Sequence, residues 1–226
     1  MPRPWFYRVL ETPWVYNLSQ ILLAPGANCI ERRVFAVLNE GTQSLGLDFG
    51  CGPKLTSDFD VRHIVGVDVN PEYIRQYTGG WIDDEPQIWE REPRRTRFGF
   101  VCTSSRLPFA DGTFDVARCM RCIHHLAPET ATAAIQEMAR CLRPGGRLVL
   151  HDPVHPHAFW RRPVAWALTH LDRGEYVRTE HALVQLVQAA VPGAWTARRY
   201  TSTYLGVEAM LLTWRKPNEG IQLRAA

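Results

Sequence analysis

Leu47-Asp48-Phe49-Gly50-Cys51-Gly52-Pro53 and, a little further on, Val65-Gly66-Val67-Asp68-Val69-Asn70-Pro71 decide how this chain is read. The first stretch has the pattern of a buried strand that turns sharply into a glycine-rich loop. The second is another apolar strand that ends on an acid, about 20 residues after the first, the spacing of an acid that holds a ribose. Gly50 and Gly52 can take backbone angles closed to other residues and let a ligand approach the main chain. Asp68, at the carboxyl end of its strand, can accept hydrogen bonds from both ribose hydroxyls. Asn70 caps a following helix with Pro71 at its first position, so free N–H groups face the same ligand. Together these features predict nucleoside binding. The dinucleotide pattern GxGxxG fails, because its third glycine position is Leu55.

Two later segments extend the pattern: Leu107-Pro108-Phe109-Ala110-Asp111-Gly112-Thr113-Phe114-Asp115 and Leu142-Arg143-Pro144-Gly145-Gly146-Arg147-Leu148. With the first two, and in this order, they resemble the motifs of the class I, Rossmann-like S-adenosylmethionine (SAM)-dependent methyltransferases, in particular the small-molecule "type 11" methyltransferase-domain family. The likeness runs over residues 30–217. It implies an α/β fold: a doubly wound, mostly parallel sheet of about seven strands with a terminal antiparallel hairpin; an N-terminal helical arm, read from its own residues, lies outside the likeness. It implies SAM as cofactor and S-adenosylhomocysteine as product. The cofactor set it implies is Asp48, Phe49, Gly50, Cys51, Gly52, Asp68, Val69, Thr103, Ser104 and Cys119. Two positions depart from the family. Thr103 stands where an acid usually meets the adenine amino group, and a hydroxyl accepts that bond more weakly than a carboxylate, or leaves it to Ser104 or a backbone group. Lys54 stands where the first motif commonly has glycine.

Composition narrows the function classes. A chain of 226 residues with net charge +3 suits one α/β domain with additions and carries no nucleic-acid footprint. All but two of the 26 basic residues, Lys54 and Lys216, are arginine. Six scattered cysteines suggest a reduced, cytoplasmic protein. Cys119-Met120-Arg121-Cys122 has the CxxC form but no partner pair, so packing is the expectation there. No signal peptide and no membrane span is read in the chain.

The organisation is read as an arm over 1–27, a methyltransferase domain over 28–217 and a tail over 218–226. The arm carries Trp5, Phe6, Tyr7, Trp14 and Tyr16. It can pack on the domain, close as a lid over an apolar substrate, or touch a membrane surface weakly through Arg3 and Arg8. Helices are expected over 28–40, after Asn70, after Pro128 and over 179–191. Strands are expected over 44–49, 64–69, 97–102, 113–119 and 147–150, with a closing hairpin of 194–204 and 207–216. The stretch 78–97 is longer than a helix-to-strand connection should be; it is either a charge-paired solvated loop or, through Trp81 and Trp89, a contact surface.

The chemistry is expected in the loops after the fourth and fifth strands. His125 is the first candidate for a base, from the resemblance, with His124, His151 and Asp152 behind it; a purely structural histidine is the alternative. His151, His155 and His157 suggest a metal at first sight, but the prolines between them argue against one, and no metal is expected. The predicted activity is methyl transfer to a small apolar or aromatic acceptor, with the acceptor atom and the oligomeric state left open. The alternative is a protein of this fold that binds SAM or its product without methyl transfer.

Overall fold

The computed structural model describes residues 24–27, 29–30, 43–53, 61–79, 96–103, 106–172 and 174–218. Almost all of the expected helix over 28–40, of the arm and of the tail, most of the long connection with Trp81 and Trp89, Lys54 and Ser104 lie outside the described residues.

Seven strands form one sheet: β1 (Gln43–Phe49), β2 (Val61–Asp68), β3 (Thr96–Val101), β4 (Phe114–Met120), β5 (Leu142–Val154), β6 (Trp195–Thr201) and β7 (Glu208–Arg215). Their order is β3-β2-β1-β4-β5-β7-β6. The first five run parallel, and β7 pairs antiparallel with both β5 and β6. The doubly wound sheet with a terminal antiparallel hairpin is therefore as expected. The strand order reverses between β1 and β4, and in such sheets the crevice at that switch point, beyond the carboxyl ends of the strands, takes the ligand.

The described helices are α1 (Pro71–Thr78), α2 (Pro128–Cys141), α3 (Pro163–His170) and α4 (Glu180–Ala190), with a single 3₁₀ turn at Ile123–His125. Asn70 caps α1 by accepting from the Glu72 N–H, with Pro71 in the first turn, and Thr179 caps α4. On α2, Ala131, Ala134, Ile135 and Met138 share the buried face. They join Leu47, Phe49, Cys119, Leu148, Leu150, Leu183 and Val187 in the main core, while Tyr77 of α1 packs on the other face with Ile64, Val116, Val149 and Leu211. Burial of the central strands on both faces follows from helices covering a parallel sheet.

Strand β5 departs from expectation. It spans Leu142–Val154, far beyond 147–150. At one end the Pro144-Gly145-Gly146 turn is bonded into the sheet, with Lys216 N–H donating to the Gly146 carbonyl and Gly145 N–H to that of Lys216. At the other, pairing with β7 runs on to Val154 and Glu208. His151, Asp152 and Pro153 interrupt the apolar run, so the sequence pattern ends where the hydrogen-bonded strand does not.

Candidate active site

Strand β1 ends at Phe49, and the chain turns through Gly50 (φ 65°) and Gly52 (φ 63°), both in the left-handed region. The Gly50 and Cys51 N–H groups donate to the Val67 carbonyl and pin the loop to β2. A Cβ at Gly50 would collide with the Cys122 side chain, whereas one at Gly52 would meet nothing within 4 Å. The Gly52 side of the loop is thus an open cradle. Beside it Asp68 Oδ2 accepts from the Gly52 N–H at 3.1 Å and Oδ1 from the Asn70 N–H at 2.9 Å. Each oxygen keeps a second lone pair for a hydroxyl. Burial raises the Asp68 carboxyl above its usual range, and the backbone N–H groups of Asn70, Gly52 and Val69 oppose the shift.

The other expected cofactor residues divide by position. Phe49 and Cys119 are buried in the main core. Cys51 is half-buried, its thiol pushed well up by burial and by the Asp48 and Asp68 carboxylates. Val69 is 67% exposed at the carboxyl edge, and Thr103 is exposed just past β3. Asp48 lies beneath the loop, 2% exposed. Its oxygens take Arg118 Nε at 2.9 Å, Arg118 Nη2 at 2.8 Å and the Tyr77 hydroxyl at 3.2 Å. Burial, then the Asp48 charge, keeps the Tyr77 phenol protonated far above its ordinary range.

Beyond β4 the chain passes through Arg121, the one described non-glycine residue with positive φ (51°), whose N–H donates to the His151 carbonyl at 2.7 Å. The 3₁₀ turn then presents His124 and His125. His124 is buried and His125 exposed. His124 Nδ1 lies 2.9 Å from Asp152 Oδ1, and its Nε2 lies 3.4 Å from Asp172 Oδ1. Burial opposes the imidazolium, but the Asp152 and Asp172 carboxylates outweigh it and push the His124 pKa up to about 10. Residues 174–178 pack over the turn. Gly174 lies against the His124 ring where no side chain would fit, the Tyr176 N–H donates to the His124 carbonyl, and Arg178 donates to the carbonyls of Ile123 and Leu126.

Neighbouring strand residues face opposite sides of a sheet. Asp152 accordingly meets His124 with the main core, while His151 lies on the other face, 2.8 Å from the Tyr200 hydroxyl. Burial, helped by the Arg121 charge, lowers the His151 pKa well below its ordinary value. The structure therefore brings His124, His125 and Asp152 together and holds His151 apart. His155 pairs with Thr169 and His157 with Glu180, so His151, His155 and His157 diverge. Arg118, Tyr77, Asp172, Arg178 and Tyr200 were not legible as site residues. Only Arg118 left a signal: an arginine inside a buried strand needs an acid nearby.

A glycine cradle and ribose-type acid at the switch point of a doubly wound sheet, with a histidine–carboxylate cluster at the next strand ends, define the class of Rossmann-like SAM-dependent methyltransferases. Residues 47–150 match the methyltransferase-domain family, which indicates SAM as the cofactor. It is 27% identical over 157 residues to a ubiquinone biosynthesis O-methyltransferase of Xanthomonas oryzae pv. oryzae, which covers 66% of this chain and 59% of that protein. The chain spans less than two thirds of the length of the curated relatives it matches. Among solved structures it is similar in fold to the Burkholderia thailandensis 1,6-didemethyltoxoflavin-N1-methyltransferase, crystallised with 1,6-didemethyltoxoflavin and S-adenosylhomocysteine (TM-score 0.60, 19% identity, 94% of this chain and 89% of that one). It is similar also to the [4+2]-cyclase SpnF (TM-score 0.58, 19% identity, 83% and 82%).

Proposed function

We propose that this protein transfers a methyl group from SAM to a small apolar or aromatic acceptor. The observation that carries the reading is the adjacency of two things at the carboxyl edge of the sheet: the open cradle of Gly50, Gly52 and Asp68, and the His124–His125–Asp152 cluster. Gly50, Cys51 and Gly52 supply main chain to the cofactor, Asp68 holds its ribose, and Val69 and Thr103 flank the adenine. When bound, SAM supplies an activated methyl on a positively charged sulfur. The protein's own work is to align the acceptor, exclude water and receive a proton where the acceptor loses one. His125 is the exposed member of the cluster that meets the acceptor; His124, fixed from behind by Asp152, positions the turn, and His151 with Tyr200 lines the opposite face.

Phe159, Trp160 and Trp166, all well exposed after β5, support an apolar or aromatic acceptor. The similar proteins named for ubiquinone biosynthesis and for 1,6-didemethyltoxoflavin support a small-molecule acceptor. The small net charge argues against nucleic acid, and cysteines left as free thiols suit a cytoplasmic protein. No described helix is long and apolar enough to cross a membrane. A second reading, a protein of this fold that binds SAM without transferring its methyl, draws on the likeness to a cyclase, since one fold hosts several chemistries.

The test is calorimetric titration with S-adenosylhomocysteine, with NAD as control, followed by conversion of SAM to S-adenosylhomocysteine in the presence of phenolic, quinol and heteroaromatic acceptors. Micromolar binding and acceptor-dependent turnover are expected. Binding without turnover on any acceptor would favour the second reading, and no binding would overturn both.

A further inference from the structure

We infer that the turn after β4 is a binding site for a zinc-class divalent cation, held by His124 Nε2, a ring nitrogen of His125 and the carboxylate of Asp172. The candidate ligand atoms of these three residues all lie within 4.8 Å of one another. His124 Nε2 and Asp172 Oδ1 stand 3.4 Å apart. A charge-assisted N–H···O⁻ bond would draw them to about 2.8 Å. Two ligands on a tetrahedral zinc, with bonds of about 2.0–2.1 Å, would hold them roughly 3.3 Å apart.

The surroundings are those of a ligand set held from behind. His124 Nδ1 faces the buried carboxylate of Asp152 at 2.9 Å, the arrangement that fixes a metal-binding imidazole with its other nitrogen turned to the ion. Asp172 is fixed in turn by the Gly174 N–H, which donates to its Oδ1 at 2.7 Å. Gly174 lies directly on the His124 ring, and a side chain there would collide with it. Two nitrogens and a carboxylate suit zinc, cobalt or nickel, whereas magnesium and calcium prefer all-oxygen shells. When the ion enters, the Nε2 proton of His124 leaves to solvent and the ion takes its place.

Three protein ligands leave a fourth position. His125 and Asp172 are exposed, so that position opens outward, as in sites that bind a substrate atom rather than in closed structural ones. Resting on the methyltransferase reading, the ion then holds an oxygen or nitrogen of the acceptor and polarises it for methylation, and His125 acts as a ligand rather than as the proton acceptor.

The experiment uses the full chain, free of affinity tags and treated with chelator, titrated with Co²⁺ while the visible absorption is followed. One equivalent is expected to give the d–d bands of a four- or five-coordinate nitrogen–oxygen site, without thiolate charge transfer, and Zn²⁺ should displace it. His125→Ala and Asp172→Ala should each raise the Co²⁺ dissociation constant tenfold or more, as should Asp152→Asn through the ring it holds. His157→Ala, at an exposed histidine outside the turn, should leave it unchanged. S-adenosylhomocysteine binding by each variant checks folding and tests the cofactor reading separately. No stoichiometric Co²⁺ site in the wild type, or one untouched by both ligand variants, would overturn the inference and leave His124 as an imidazolium clamped between two carboxylates. Loss of S-adenosylhomocysteine binding by the wild type would count instead against the methyltransferase reading.

Discussion

Asp48 and Arg118 lie directly opposite one another on the adjacent parallel strands β1 and β4, and they join through two hydrogen bonds of 2.9 and 2.8 Å in the floor of the glycine cradle. Both side chains are almost wholly buried, at 7% and 3% exposure for Arg118 and Asp48. Breaking such a pair from one side leaves a buried charge without compensation, at about 3–5 kcal/mol. Arg118→Met is therefore expected to lower the unfolding free energy in urea by that amount. Asp48→Asn in the same chain should recover much of the loss, because the remaining amide can still accept from Tyr77. A single variant within about 1 kcal/mol of wild type would show that the pair does not hold the floor together.

Gly50 and Gly52 share a backbone conformation but have different surroundings, so alanine should separate stability from binding. Either substitution forces an L-residue into the left-handed region, at about 1–2 kcal/mol. At Gly50 the new methyl also collides with Cys122, inside the protein. At Gly52 it enters the open cradle. Gly50→Ala is expected to lose more in thermal unfolding, and Gly52→Ala to lose more in S-adenosylhomocysteine affinity than its stability loss accounts for. Equal affinity losses in the two variants would mean that the ligand does not approach the chain at Gly52.

Much of this cradle was legible because it depends on local chemistry. Glycines that need positive φ, an acid ending a strand and an Asn–Pro helix start each carry their reason within a few residues. The parallel order of the first five strands followed from the same motifs. What was not legible depends on register or on distant loops. Asp48 reads as one more acid of the first motif until the pairing of β1 with β4 sets Arg118 against it. Asp172 reads as a polar loop residue until the chain folds back over the 3₁₀ turn. His151 and Asp152 are adjacent in sequence and were grouped together, yet strand alternation sends them to opposite faces. The length of β5 was hidden because a hydrogen-bonded ladder can continue through polar residues and prolines that end an apolar run.

Asp68 ties the cradle together as well as facing the ligand. Asp68→Ala should weaken S-adenosylhomocysteine binding by the loss of a charged hydrogen-bond pair, about 2 kcal/mol or roughly thirtyfold. The Gly52 and Asn70 N–H groups lose their acceptor in the same variant, so a lower unfolding temperature should accompany the weaker binding. An unchanged dissociation constant by calorimetry would place the ribose elsewhere.

Glu137 on α2 offers a test in the acid range. Its carboxylate accepts from Arg140 Nε and Nη2, each at 2.8 Å, and from the Leu107 N–H at 2.8 Å, pinning the Leu107–Asp115 motif to the helix. The Arg140 hydrogen bonds are the main cause that holds its pKa below the usual carboxylate value. A carboxyl whose pKa is lower folded than unfolded stabilises the protein above its unfolded value, about 4.3, and loses that contribution as pH falls through the folded one. Glu137→Gln keeps an acceptor but cannot ionise. The variant should be less stable than wild type at neutral pH, and the gap in melting temperature should narrow below roughly pH 4, where wild-type Glu137 also becomes neutral. A gap that stayed constant down to pH 3 would assign the loss to packing rather than to the Glu137 charge and its arginine partner.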